Sequence, residues 1–214
     1  MIDRDQLSRP ALEVAPTLLG AILKSSVDGV EVSVRVTEVE AYEGALDPAS
    51  HAFRGRTKRN AVMFGAAGHL YCYFIYGMHW CANVTCGTYE VASAVLLRSG
   101  QIVSGEAAAR GRTPTKLKTP MLASGPARLA RCLGLTGERT GTDLLARSSL
   151  VQLLELGEEQ TYSVGPRVGI AVAADFPWRF WLPGEPSVSP YRVGGRRSGS
   201  GVGARSANGI NRQT

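Results

Sequence analysis

The chain has 214 residues, 44% hydrophobic and 20% charged, with a net charge of +6. Such a length buries a substantial core without staples, no apolar run reaches membrane-spanning length, and the N-terminus lacks a basic-then-apolar leader, so a fibrous or membrane protein is excluded and a cytoplasmic location expected. Charge is uneven: residues 1–50 sum to −5, residues 98–147 to +6, and five arginines but no acid follow Glu185, which suits a polyanionic partner as well as it suits plain solubility.

In chain order, residues 7–23 carry helical spacing. Ala15 to Gly20 reads as a short helix ending at glycine, with Pro16 in its first turn and Val14, Leu18, Leu19 and Ile22 facing the core. Val30 to Val39 alternates and predicts a half-buried strand. That strand delivers Glu38, Glu40 and Tyr42. A loop then runs to His51 and into the basic cluster Arg54, Arg56, Lys58 and Arg59.

The stretch from His69 to Asn83 is rich in aromatic and branched residues, without proline or formal charge. It predicts a strand with Tyr71, Tyr73 and Ile75 on one face and Cys72, Phe74 and Tyr76 on the other. Gly77 breaks it, and Met78 to Thr85 returns, giving a hairpin whose tip carries Tyr76 and Met78. Large side chains are unusual at such a turn. The alternating tyrosines fit ordinary sheet packing as well as a platform for a flat ligand.

Val91 to Arg98 predicts a third strand, and successive strands are expected as neighbours in an antiparallel meander. Gly105 to Arg110 is a short helix, and residues 111–118 are a loop. Ser124-Gly125-Pro126 opens another helix, with Ser124 as cap and Pro126 in the first turn. Free N–H groups there, with Arg128 and Arg131 close by, suit a phosphate. Pro166 to Ile170 and Trp178 to Leu182 read as late strands closing the sheet. Residues 192–214, rich in glycine, serine and arginine, predict a disordered basic tail beyond a domain spanning residues 1–191. The cysteines Cys72, Cys81, Cys86 and Cys132 form no paired CxxC pattern, which argues against zinc. Cys72 and Cys81 are placed to face each other across the hairpin, although a disulfide is unusual in a reducing compartment.

Glu40, Tyr42 and His51, followed by a run of aromatics, suit one chemistry. Breaking the bond between a base and its sugar builds positive charge on the sugar, which a carboxylate and an activated water serve. Holding a base outside a duplex needs aromatic faces and a wedge for the gap.

Glu40-Ala41-Tyr42, His51, Arg59-Asn60 with Met63-Phe64, Leu70 to Met78, Asn83, Leu96-Leu97-Arg98, Ser124-Gly125-Pro126 and Arg167-Val168-Gly169 occur in order along the chain. In these segments the chain resembles the alkyladenine (3-methyladenine) DNA glycosylase family, monofunctional enzymes of base-excision repair. The resemblance implies an α+β single domain, a curved antiparallel sheet flanked by helices with a protruding hairpin that inserts into DNA. It implies that Glu40 deprotonates the attacking water, held also by Arg98 and the backbone carbonyl of Val168. Tyr42, His51 and Tyr73 would sandwich the flipped base, Tyr71 would support the pocket, and Asn83 would exclude normal guanine. Tyr76 would fill the vacated stack with Met78 beside it, and Arg59, Ser124, Gly125 and Arg128 would meet the DNA backbone.

Further implications are a monomer, acting without cofactor or metal on double-stranded DNA containing 3-methyladenine, 7-methylguanine or hypoxanthine, and a nucleoid association. The motif segments hold no second carboxylate placed as a general acid, so cationic lesions are the expected better substrates. No catalytic lysine is evident, so no lyase step is expected. Glu38 falls on the same strand face as Glu40. His69 and His79 depart from the family's pattern, and residues 134–160 match it only loosely. Two other readings remain open at this level: a non-catalytic nucleic-acid-binding module and a hydrolase of free nucleosides.

Overall fold

The computed structural model describes residues 2–114 and 116–194. Most of the expected basic tail, residues 195–214, lies outside the described residues.

Two short helices open the chain, α1 (Arg4–Leu7) and α2 (Ala11–Thr17). Asp3 and Gln6 close a capping box on α1. Helix α2 starts after Pro10, whose restricted φ suits a helix entry, so Pro16 stands in its last turn and not its first. Ile22 likewise leaves the helix and opens a strand.

Strands β1 (Ile22–Ser25), β2 (Val32–Tyr42), β3 (Leu70–Ile75), β4 (His79–Cys86), β5 (Ser93–Ser104) and β6 (Val151–Glu155) form an open antiparallel sheet in the order β3-β4-β5-β2-β1-β6. Two short strands, β7 (Ser163–Gly165) and β8 (Arg179–Trp181), pair with each other, and β8 adds to β2. The helices are few and short: α3 (Glu106–Gly111) and α4 (Pro126–Cys132) complete the set among the described residues. The architecture is thus an α+β single domain. The meander holds for β3, β4 and β5 only. Strand β2 lies beyond β5, because the long segment after Tyr42 carries the chain across the sheet before β3 begins.

Strand β2 is buried on both faces, not half-buried: its valines sit in the main core, and Thr37, Glu38 and Glu40 are also fully covered. It pairs with β5 along one edge and with β1 and then β8 along the other. Its register against β5 shifts on both sides of Glu38. That bulge changes the phase of the strand. Val32, Val34 and Val36 face the main core, and after the bulge Val39 and Ala41 do so. Glu38, Glu40 and Tyr42 therefore share the opposite face, an example of a bulge re-aiming side chains. On that face a smaller cluster forms from Ala52, Met63, Tyr71, Ala92 and Ala94.

Two more expectations are corrected. Pro166 to Ile170 is not a strand: the chain turns there without ladder bonds, and Arg167 is drawn inward by Asp47. The hairpin register pairs Cys72 with Ala82 and Cys81 with Tyr73, so the two cysteines do not oppose each other. All four thiols are free and buried. No helix among the described residues is long and apolar enough to cross a membrane.

Candidate active site

The β2 carboxylates reach their positions through the bulge, and the aromatic residues through the simple alternation of β3. Tyr71 and Tyr73 leave β3 on the face that meets the loop after β2, where His51 sits. The His51 and Tyr73 rings touch edge-on with centroids 4.5 Å apart, and Tyr71 lies 5.8 Å from Tyr73. With Tyr42, Asn83, Met63 and Ile170 they enclose a cavity of about 150 Å³. That space is far smaller than a site for a drug-sized ligand and suits one flat ring system. Asn83 is directly opposite Tyr71 across the hairpin, and its Nδ2 donates to the Tyr71 carbonyl at 3.0 Å, which fixes the amide orientation.

His51 stands exposed at the cavity mouth. Its Nδ1 meets the Tyr71 hydroxyl at 3.0 Å, and Arg59 Nη2 lies 3.4 Å from Nε2. Arginine only donates, so Nε2 is the bare nitrogen and Nδ1–H donates to the phenol. Desolvation first, and the Arg59 cation second, hold the His51 pKa down at about 4. The Arg59 guanidinium also lies 5.7 Å over the Tyr73 ring. Arg59 is thus placed at the cavity and not with the other residues expected at a DNA backbone.

Glu40 is fully buried behind the cavity wall. The Tyr42 hydroxyl donates to its Oε2 at 2.9 Å, the Val168 N–H to its Oε1 at 2.7 Å, and Arg98 Nη1 lies 3.1 Å from Oε1. Burial, then the Glu40 charge, push the Tyr42 phenol well above its ordinary range, so it stays a donor. The segment carrying Val168 is anchored by Arg167, wholly buried and paired to Asp47 through two bonds of 2.5 and 2.8 Å. Its guanidinium also sits 4.5 Å over the Tyr42 ring and 5.0 Å over Trp178. Asp47 and Arg167 were not singled out as site residues from sequence, because their pairing spans 120 positions.

Arg98 and Val168, both in contact with Glu40, line an open groove of about 560 Å³ together with Ser124, Gly125, Arg128 and Arg131, among others. Here the helix-start expectation needs correcting. Gly125 occupies the cap position of α4, and its N–H donates to Ser99 Oγ at 3.0 Å. Ser124 makes no cap bond. Its hydroxyl is buried without a partner among the described residues. The next residue, Pro126, has no N–H, so this terminus offers fewer free donors than the motif suggests, and the basic side chains supply the groove's charge.

The hairpin tip projects from the same molecule. Tyr76 and Met78 are 78% and 65% exposed, too open for core residues. Among the described residues no cluster of three or more His, Cys, Asp or Glu is grouped for a metal.

Residues that bond to the buried Glu40 thus line both spaces: Tyr42 the ring-sized aromatic cavity, Arg98 and Val168 the basic groove. Residues 5–186 match the model of the family described as methylpurine-DNA glycosylase, and the chain belongs to that family. It is 51% identical over 197 residues to a protein of Leifsonia xyli named "Putative 3-methyladenine DNA glycosylase", covering 88% of this chain and 92% of the relative. Proteins of the same name from Streptomyces avermitilis and Frankia casuarinae are 46% and 48% identical, over 90% and 88% of this chain and 92% of each relative.

Proposed function

We propose that the protein is a monofunctional DNA glycosylase that hydrolyses the N-glycosidic bond of alkylated purines in double-stranded DNA. The observation that carries the reading is that Glu40 bonds to residues of both spaces, Tyr42 of the aromatic cavity and Arg98 and Val168 of the basic groove. A base held in the cavity and a phosphate chain lying in the groove bring the connecting sugar to that carboxylate.

In this reading Glu40 takes a proton from the attacking water. A carboxylate offers about four lone-pair positions. Two hydrogen bonds reach Glu40, from the Val168 N–H to Oε1 and from the Tyr42 hydroxyl to Oε2, with Arg98 in ion-pair contact at Oε1, which leaves a position on Oε2 for the water. Arg98 and the Val168 segment steady the carboxylate and the water. As the bond breaks, positive charge grows on the sugar and Glu40 lies ready to offset it. Tyr42 forms one wall for the base, and His51 with Tyr73 the other. Tyr71 holds His51 in its tautomer, and Asn83 limits what the cavity accepts. Tyr76, with Met78 beside it, enters the space the base leaves.

His51 stays neutral at physiological pH, so it does not repel a cationic purine, and the ring faces attract one. The acid-labile 3-methyladenine and 7-methylguanine are therefore favoured over hypoxanthine.

The test uses duplex oligonucleotides with a single 3-methyladenine, 7-methylguanine or hypoxanthine, followed by alkali to reveal abasic sites. Release from the duplex and not from the free nucleoside is expected, with the methylated bases leaving faster. Absence of release from every duplex overturns the reading.

A further inference from the structure

A second carboxylate stands behind the first. Glu38 is fully buried and accepts five hydrogen bonds. Its Oε1 receives Arg98 Nε at 2.8 Å, Arg179 Nε at 2.7 Å and Ser189 Oγ at 2.9 Å. Its Oε2 receives Ser99 Oγ at 2.6 Å and the Ser189 N–H at 2.8 Å. No lone pair remains for water or substrate, so Glu38 is not a base. Burial alone raises its carboxyl, but Arg98, Ser99, Arg179 and the Ser189 N–H together outweigh it and hold the group below the ordinary value.

The two carboxylates are joined through one guanidinium. Arg98 donates Nε to Glu38 and Nη2 to Ser189 Oγ, and its Nη1 lies 3.1 Å from Glu40 Oε1. Its plane is set by Glu38 and Ser189, and the remaining nitrogen faces Glu40. Arg179 adds a second buried cation, aligned in register with Glu40 from β8 but turned to Glu38. The cluster therefore balances two anions against two cations.

We infer that Glu38 is a positioning residue for base release: it locks Arg98 against Glu40 and cancels the charge of Arg179, so that Glu40 meets one guanidinium, held in a fixed plane. This rests on the glycosylase reading above. The groups facing Glu40 are Arg98 from β5, the Tyr42 phenol on its own strand, Tyr73 from β3 and Cys81 from β4, with Glu38 and Arg179 one step behind. Without Glu38, two guanidiniums share one carboxylate. The excess of positive charge beside Glu40 is a change that a pH–rate profile reads. Removing Arg179 instead leaves two carboxylates on one guanidinium and has the opposite effect.

The two opposite shifts separate this role from a merely structural one, because lost packing lowers the active fraction without moving a pH profile. Single-turnover base release from duplex DNA carrying 7-methylguanine is measured across pH for the wild-type chain, E38Q, R179Q and E38Q/R179Q. The active fraction is taken from DNA-binding stoichiometry. In E38Q the plateau rate should fall about ten- to hundredfold per active site, with the acid limb about one pH unit lower. In R179Q the acid limb moves up, and in the double variant it returns towards wild type. R179Q alone decides the matter if E38Q does not fold. An active wild type with no shift in the acid limb of E38Q or R179Q overturns the inference alone. A wild type that releases no base overturns the glycosylase reading and the inference with it.

Discussion

Tyr76 occupies a backbone conformation that its side chain does not favour. Its φ is 55° and that of Gly77 is 67°, and the Met78 N–H closes the turn on the Ile75 carbonyl at 3.2 Å. Positive φ at both central positions marks the hairpin turn for which Asn-Gly is preferred, and a tyrosine there costs about 1–2 kcal/mol. The strain and the exposure together set up a test of what Tyr76 contributes. Tyr76→Asn should therefore raise the melting temperature by about 2–4 °C while lowering base release from duplex DNA. A lower melting temperature with unchanged release would place Tyr76 in the fold and not in the reaction. His51 supports a second prediction at this scale. Its imidazole should titrate by NMR with a midpoint near 4, and Arg59→Gln should move that midpoint up. The sign follows from linkage. The unfolded chain takes up this proton near pH 6.5 and the native state near 4, so the site destabilises the fold increasingly as pH falls through that window. A midpoint at the ordinary histidine value contradicts the packing described at the cavity mouth.

Hairpin β3–β4 is legible because alternation and a glycine break are local signals; its face assignments hold from Tyr71 to Ile75, while Tyr76 lies beyond the strand, in the turn. The bulge in β2 is not. Both faces of that strand are buried, so no polar face records the change of phase at Glu38. Pro166 to Ile170 reads from sequence as a late strand closing the sheet. Its actual course is decided by a pairing to Asp47 that no local pattern encodes. That pairing is open to test. Breaking a fully buried ion pair by removing one partner costs about 3–5 kcal/mol, so Asp47→Asn should lower the urea midpoint by a corresponding amount. Because Val168 follows Arg167 directly and meets Glu40, base release per folded molecule should fall as well. A variant as stable as wild type would show that Asp47 and Arg167 do not hold this segment.

Across the whole molecule, the sequence shows where positive charge is concentrated but not that Arg98, Arg128, Arg131 and Arg192 line one groove. Glu38, Arg98 and Arg179 come from strands far apart in the chain, and the contacts that link Glu38 to its partners span 60 to 151 positions. If the groove carries the phosphate chain, Arg128→Gln should weaken binding of damaged and undamaged duplex alike. It should also reduce the dependence of binding on salt by about one unit of log–log slope. An unchanged slope removes Arg128 from the contact surface. The most direct test of the account compares wild type with Glu40→Gln on a duplex holding one 3-methyladenine, with binding and single-turnover release followed together. The account predicts that binding persists while release falls by about 10²–10⁴-fold. Release at the wild-type rate from the bound variant would contradict it.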